Sequence, residues 1–560
     1  MRQQIDLARF TLLTRPVTTR IFNTMAKTRR RHGRATDGSA RKLAGGSPTR
    51  SPSPRKSPFG EGVRRICAVA AASTADEMAK LVLAGLRETP TIELRLDWLC
   101  SDSERSRFLN WFRNKQLRGR TFLATCRRKI AGGQLTAPIS AELYWLNQAR
   151  EAGCAWCDLE VETWWDLSGA SPSDLGLPPR MLLSLHDFQR TPVHFPSLVS
   201  SLHPPADALK IAANSRTIAD SIRLLYLTRR LNTVAVPMGE TGLPARILAL
   251  RHGSALAYAP IGEATAPGQV SLHDLKYLYR AHELTDRTRV YGVVGNPVGH
   301  SLSSLMHNTA FVARKVDAVY LPFLVKDLRD FLKAVPEFGV RGFSVTIPHK
   351  QNILRYLEQC DPLAAKIGAV NTVVVRRDGS LYGCNTDFVG ISRALEKKMK
   401  LAGSRVLIFG AGGVARAAAF ALAKAGAHVA ICARRGKAAK ELAKAVGGEA
   451  VPRRAIRSER FSAILNSTPI GMYPQEGISP LTSRELNCEL VMDLINRPEK
   501  TQLLKTAARK GITAVPGIEM FIPQGVAQWE LWTGQKAPET LMRRAVLRAL
   551  RAEEKSRQQH

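Results

Sequence analysis

The chain has 560 residues, 44% of them apolar, and a formal net charge of +35 at pH 7. That length is too great for one core and points to three or four units of ~150 residues each, and the ordinary apolar fraction lets each unit bury a core. No stretch approaches the ~18 apolar residues of a membrane-spanning helix, so no membrane partner is expected.

The charge is unevenly placed. Residues 1–65 carry 16 Lys and Arg against 3 acidic residues. Thr-Arg-Arg-Arg-His at 28–32 and Ser-Pro-Thr-Arg-Ser-Pro-Ser-Pro-Arg-Lys at 47–56 are of low complexity. Such composition cannot form a core, and residues 1–64 are expected to be a disordered basic extension. The segment lacks the apolar core and cleavage site of a secretory signal. Being rich in Arg and Ser and poor in acid, it reads as an organelle transit peptide, as a plain extension, or as sequence upstream of a start at Met25. The expected location is the cytoplasm, with a plastid as the alternative. No nucleic-acid motif occurs in the folded remainder, so the excess charge is assigned to a basic tail and to sites that attract anionic substrates. The nine cysteines have no framework spacing, and the lone Cys154-Ala-Trp-Cys157 pair sits at a helix-to-strand junction, where buried structural thiols are expected. Scattered cysteines fit a reducing compartment, and no metal site is expected.

From Arg65 onward, apolar runs recur at regular spacing: Ile66–Ala71, Thr91–Leu96, Thr121–Thr125, Trp156–Val161, Met181–Leu185, Ala208–Ala212, Thr233–Val236 and Ala255–Ala259. Helix-like segments such as Ala75–Leu86, Ser140–Ala152 and Ser215–Arg229 lie between them. Strands alternating with helices over residues 65–285 predict a (β/α)8 barrel. Glu93, Arg95, Glu160 and Lys210 then point inward from strands, and Arg127, His186, Arg246 and Gln269 lie at or just past carboxyl ends of strands, where such a barrel builds its site. Lys210 ends an apolar run, where an amine can lose its proton and condense with a ketone. The iminium would act as an electron sink, His186 is the natural acid/base, and Arg246 can clamp a carboxylate. The competing reading of Lys210 is an ion-pair network at the barrel mouth.

The runs Glu93-Leu94-Arg95-Leu96-Asp97, Thr125-Cys126-Arg127-Arg128, Asp158-Leu159-Glu160, Ser184-Leu185-His186-Asp187-Phe188, Lys210-Ile211-Ala212, Met238-Gly239-Glu240 to Arg246, and Ala266-Pro267-Gly268-Gln269 together resemble type I 3-dehydroquinate dehydratase. The resemblance implies that Lys210 forms a Schiff base, that His186 is the general acid/base, and that Glu93, Arg95, Arg127, Arg246, Thr265 and Gln269 line the substrate. The implied reaction converts 3-dehydroquinate to 3-dehydroshikimate. Two positions depart from the family: Thr265 stands where serine is usual, and Ala131 precedes Gly132-Gly133 where a glutamate that assists the substrate hydroxyl is usual.

A new unit begins near Thr285–Arg289 with a strand over Val290–Val294, and alternating patterns continue to about Lys400. Arg405–Phe409 is then a strand feeding the loop Gly410-Ala411-Gly412-Gly413-Val414-Ala415, an Ala-rich helix over Ala417–Ala425 and a strand over His428–Cys432. This βαβ unit would seat a pyrophosphate at the helix N-terminus. The second strand ends in Arg434-Arg435 with no acid. Cations there suit a ribose 2′-phosphate, so NADP is favoured over NAD, a solvated basic turn being the alternative. A helical segment over Met520–Arg551 closes the chain.

Gly295 to Ser303, Met306-His307-Asn308, Val345 to Lys350, Gly368 to Thr372, Asn385-Thr386-Asp387, Asn466 to Met472 and Gln524-Gly525 resemble shikimate dehydrogenase over about residues 288–550. By that resemblance Lys350 and Asp387 form the acid/base pair at the reacting oxygen. Ser301, Ser303, Thr346, Asn371 and Gln524 hold the substrate, and Met472 joins the Gly-rich loop and the two arginines at the cofactor. The implied folds are a substrate-binding domain at 286–398, a Rossmann NADP domain at 399–515, and C-terminal helices at 516–560 that return to the substrate domain. Departures are Ser304 for proline, Ser344 for asparagine and Asn496 for tyrosine. In tandem, the two resemblances imply an enzyme that passes 3-dehydroshikimate from its first site to its second and releases shikimate, as a monomer or homodimer. Its rivals are a quinate-degrading enzyme, and a regulator built from the same domains but without their chemistry.

Overall fold

The structure, a computed structural model, describes residues 57–167, 172–192, 206–230, 232–262, 268–299 and 301–559. The first half alternates β1 (Ile66–Ala70), α1 (Ala75–Leu86), β2 (Thr91–Arg95), α2 (Asp102–Lys115), β3 (Thr121–Thr125), α3 (Ile139–Glu151), β4 (Trp156–Glu160), α4 (Val161–Asp166), β5 (Arg180–Asp187), β6 (Ala208–Asn214), α5 (Ile218–Leu227), β7 (Thr233–Met238), α6 (Leu243–Leu248) and β8 (Ala257–Pro260). All neighbouring strands pair in parallel in the order β7-β6-β5-β4-β3-β2-β1-β8. The remaining gap is bridged just ahead of β8, where Ala255 N–H donates to Thr233 O at 2.9 Å and Ala235 N–H to Ser254 Oγ at 3.2 Å. The sheet therefore curls into a nearly closed eight-stranded α/β barrel, as the spacing of the apolar runs predicts.

Packing begins earlier than the expected extension over 1–64 allows. Phe59 is buried against Trp156, with ring centroids 4.3 Å apart, among Cys67, Leu123, Leu182 and Val234. One aromatic ring in a stretch rich in Ser, Pro and Arg is enough to recruit residues 57–64 as a plug at the amino end of the barrel. Cys154 and Cys157 are both buried and unbridged, as expected of structural thiols.

The second half continues with β9 (Arg289–Gly295), α7 (Leu302–Ala313), β10 (Ala318–Leu324), α8 (Leu328–Phe338), β11 (Val340–Val345), β12 (Gln359–Cys360), α9 (Pro362–Ile367), β13 (Thr372–Val375), β14 (Leu381–Cys384) and α10 (Thr386–Glu396). These strands form one sheet in the order β10-β9-β11-β13-β14-β12. Then follow β15 (Arg405–Phe409), α11 (Gly413–Lys424), β16 (His428–Cys432), α12 (Gly436–Val446), β17 (Glu449–Ala450), β18 (Phe461–Asn466), β19 (Cys488–Asp493), α13 (Gln502–Arg509) and β20 (Thr513–Val515). They make a parallel sheet in the order β17-β16-β15-β18-β19-β20.

Helix α11 starts at Gly413, ahead of the expected Ala417, because the Gly-rich loop leads straight into the first turn, with Arg416 N–H bonded to Gly412 O at 2.9 Å. The closing helical segment consists of two helices, α14 (Ile518–Thr533) and α15 (Glu539–Gln559). Gly534 takes the left-handed conformation at the end of α14 (φ 68°), which a helix cannot continue through. Both helices pack back on the β9 sheet through Trp529, Trp532, Met542 and Val546. The Trp532 indole N–H also bonds Val373 O at 3.1 Å. All described residues belong to one unit, Arg55–His560. Among them, no helix is long and apolar enough to cross a membrane.

Candidate active sites

Alternation along barrel strands sends every second side chain inward. Asp158 and Glu160 share the inner face of β4, Ser184 and His186 that of β5, and Lys210 on β6 lies level with Ser184. The lysine is 5% exposed. Its Nζ lies 2.9 Å from Asp158 Oδ2 and 3.5 Å from Glu93 Oε1, and 4.1 Å from the centre of the Tyr258 ring. Arg127 joins the same cluster, donating to Asp158 at 2.8 Å and Glu160 at 3.1 Å. Burial alone would raise the Asp158 carboxyl, but the Arg127 and Lys210 charges hold it well below the usual carboxylate range. It therefore stays an anion. Burial, and then the neighbouring Glu142, push the Glu160 carboxyl up.

His186 closes the cluster on the β5 side, with its ring stacked on Phe188 at 5.9 Å. Burial, reinforced by the Arg127 and Lys210 charges, lowers its pKa well below the ordinary histidine value. The ring is thus neutral at neutral pH and able to accept a proton, and its Nδ1 has no hydrogen-bond partner among the described residues. Arg95 is bound by both carboxylate oxygens of Asp97, at 3.0 and 2.8 Å. Arg246, on α6, is different. It is buried and donates to Gly268 O at 2.9 Å, but it makes no ion pair among the described residues, and burial pushes its guanidinium down to about 10. A buried cation without a counterion is an anion site by its own electrostatics. Gln269, next to Gly268 in the chain, is half-buried, and Thr265 falls outside the described residues.

In the second half, Lys350 follows β11 and Asp387 opens α10. Lys350 Nζ meets Asp387 Oδ2 at 2.5 Å, and Asn371 Nδ2 donates to Asp387 Oδ1 at 2.7 Å. Asn371 is fixed in turn by Thr386 N–H (2.7 Å) and the Thr372 hydroxyl (2.8 Å) at its Oδ1. Ser301 caps α7 by accepting from Ser303 N–H at 3.3 Å. Gln524 is buried on α14, which packs closely on α10: a Cβ at Gly390 would lie 3.1 Å from Gln524 Cβ. Thr346 is half-buried at the end of β11.

The Gly-rich loop lies directly beside this pair. A Cβ on Gly413 would sit 3.2 Å from Lys350 Cβ, whereas one on Gly412 would meet nothing within 4 Å, so that side of the loop is open. Gly410 takes φ 126°, and its N–H bonds Cys432 O at 2.8 Å, which ties the loop to the end of β16. Arg434 and Arg435 are exposed just beyond that end, and Met472 is 37% exposed beyond β18. The open glycine face, the uncapped start of α11 and the two free-standing arginines fit a pyrophosphate with a further phosphate on its ribose.

Sequence reasoning passed over Asp158 as a site residue and did not single out Tyr258. The signal for Asp158 was its parity with Glu160 on β4. Tyr258 offered none, because a tyrosine in an apolar strand reads as packing.

The chain matches the type I 3-dehydroquinase family over residues 66–286, the shikimate dehydrogenase substrate binding domain over 293–373, and the shikimate 5'-dehydrogenase C-terminal domain over 517–547. Among solved structures it is similar to the shikimate 5-dehydrogenase of Thermus thermophilus in complex with NADP(H) and shikimate, with 35% identity, 47% of this chain and 99% of that chain covered, and a TM-score of 0.44. The shikimate dehydrogenase (NADP(+)) of Methanothermobacter thermautotrophicus is 40% identical over 48% of this chain and 99% of its own length. A chloroplastic protein of Arabidopsis thaliana, a bifunctional 3-dehydroquinate dehydratase/shikimate dehydrogenase, is 33% identical over 85% of this chain and 83% of its own. With both halves matched along one continuous relative, the chain belongs to the family of bifunctional 3-dehydroquinate dehydratase/shikimate dehydrogenases.

Proposed function

We propose that the chain dehydrates 3-dehydroquinate in its barrel and reduces the resulting 3-dehydroshikimate to shikimate in its second half, using NADPH. The observation that carries this reading is that each half sets one lysine against a buried carboxylate, Lys210 with Asp158 and Lys350 with Asp387.

In the first site the Lys210 amine adds to the substrate ketone and water leaves, giving an iminium. His186, neutral by burial, takes the proton from the carbon alpha to it. The electron pair expels the β-hydroxyl, which leaves as water with a proton returned by His186, and hydrolysis frees the lysine. Arg246 holds the substrate carboxylate, and Glu93, Arg95, Arg127, Thr265 and Gln269 complete the pocket. In the second site, Lys350 donates a proton to the oxygen of the ketone being reduced and Asp387 holds the lysine charged and oriented, while Ser301, Ser303, Thr346, Asn371 and Gln524 hold the substrate. NADPH, when bound, supplies the hydride. The loop from Gly410 to Ala415 would hold its pyrophosphate, Arg434 and Arg435 its 2′-phosphate, and Met472 its nicotinamide end. The proposed domain limits are 65–285, 286–398, 399–515 and 516–560, with the barrel's amino-terminal plug added to the first.

The test is one cuvette. Purified chain is given 3-dehydroquinate and NADPH, and the enone and nicotinamide bands are followed. Enone formation followed by NADPH loss is expected. With Lys210→Ala, neither should occur from 3-dehydroquinate, while added 3-dehydroshikimate is still reduced. No change in either band for the unaltered chain would overturn the reading.

A further inference from the structure

Helix α5 directly follows β6, the strand that carries Lys210, so its amino end lies on the rim of the dehydratase mouth. A helix leaves its first N–H groups without partners inside the helix. Here the third, Asp220 N–H, is capped from within the barrel by Thr217 Oγ1 at 3.1 Å. The first two are not. Ile218 N–H donates to Asp330 Oδ2 at 2.7 Å and Ala219 N–H to Asp330 Oδ1 at 3.2 Å. Asp330 lies on α8, in the dehydrogenase half.

From that cap a line of hydrogen bonds runs to the loop that follows His186. Asp220 Oδ2 accepts from Arg216 N–H at 3.0 Å and Thr217 N–H at 2.9 Å. Arg216 Nε donates to Gln189 O at 2.7 Å, and Thr191 Oγ1 to Asn214 O at 3.1 Å. These bonds lace the segment after Lys210 to the segment after His186. The contact between the halves is broader than one carboxylate: Arg251 Nη1 donates to Phe338 O at 2.7 Å and the Tyr226 hydroxyl to Glu337. The α6 segment that bears Arg246 packs on the edge strand β10.

We propose that Asp330 of the dehydrogenase half is a positioning residue for the dehydratase site, holding the Lys210 and His186 loops in register by capping α5 across the junction between the halves. The inference rests on the dehydratase reading for its kinetic consequence and on geometry alone for the cap. Because His186 and Lys210 themselves sit on β5 and β6, loss of the cap beyond the strand ends appears in KM rather than in kcat.

The experiment compares full-length Asp330→Ala and Asp330→Asn with the unaltered chain, by amide exchange in peptides spanning 214–227 and by both activities. Losing the side chain of a helix cap weakens the first turn by roughly fivefold in its folding equilibrium. The expected result for Asp330→Ala is therefore about fivefold faster exchange there and a rise of about threefold to fivefold in the KM for 3-dehydroquinate, with dehydratase kcat and all dehydrogenase constants within about twofold. Asp330→Asn keeps one acceptor oxygen and should fall between. Unchanged exchange, or equal losses in both activities, would overturn the proposal. If the unaltered chain shows no dehydratase turnover, the functional reading fails, and with it the kinetic half of this inference. The exchange data still decide the cap by themselves.

Discussion

In an Asp158→Asn variant, Lys210 and Arg127 lose the carboxylate that lies 2.9 and 2.8 Å from them. At such distances a pair of unit charges in surroundings of effective dielectric ~20 interacts by roughly 6 kcal/mol, which desolvation of the ions largely offsets. What remains after one partner is removed is an uncompensated buried charge, at a net cost of about 3–5 kcal/mol. With a urea slope of about 2 kcal/mol per M, the unfolding midpoint of the barrel should fall by ~1.5–2.5 M. Pulse proteolysis in urea, with peptides assigned to each half, reads the barrel separately from the dehydrogenase. The sign of the pH effect follows from the depressed Asp158 carboxyl. Its stabilisation is present above the unfolded value of about 3.9 and is lost as pH falls below it, so the gap between the two proteins should be constant near neutrality and shrink below about pH 4. A neutral-pH shift under about 0.3 M, or an equal shift in both halves, would refute the claim that Asp158 compensates both cations.

Three further outcomes are expected. Removing both Arg434 and Arg435 by alanine should raise the KM for NADPH by about 10- to 100-fold, the value of one or two charged hydrogen bonds, and leave that for NADH nearly unchanged; steady-state kinetics with both cofactors checks this, and equal changes would refute it. Ala131→Glu should raise dehydratase kcat by up to about tenfold, since the resemblance implies at that position a glutamate that assists the substrate hydroxyl; an unchanged kcat would refute that role. His307 is held down to about 3 by burial, against a weak opposing bond to Gln528. The unfolded chain therefore binds a proton below about pH 6.5 that the folded one refuses, and stability present above that pH is lost as pH falls, by about 2 kcal/mol at pH 5. Urea midpoints of the dehydrogenase half at pH 7.5 and 5 should diverge accordingly and converge in a His307→Gln variant.

Much of the site was legible because the chemistry sits on regular strands. Period-two alternation placed Glu93, Arg95, Glu160 and Lys210 inside the barrel, and a Gly-rich loop between a strand and an Ala-rich helix announced itself. The partners of those residues were not legible. Asp158 reads as one more acid in a strand, and nothing in the run around Arg246 says that it, unlike Arg95 and Arg127, lacks a carboxylate among the described residues. One helix limit erred where glycine decides it, at Gly413.

By itself, then, the sequence determined the order of elements and the tandem of two families, and singled out the two lysines as candidates. These follow from local periodicity and from short motifs whose spacing is set by strand and helix geometry. Only the tertiary structure decided which charges neutralise one another, that Arg246 stands without a counterion among the described residues, that Phe59 plugs the barrel, and that Asp330 caps a helix in the other half. Each of these depends on residues dozens to over a hundred positions apart, and their distances are set by how sheets curl and halves dock rather than by any local pattern.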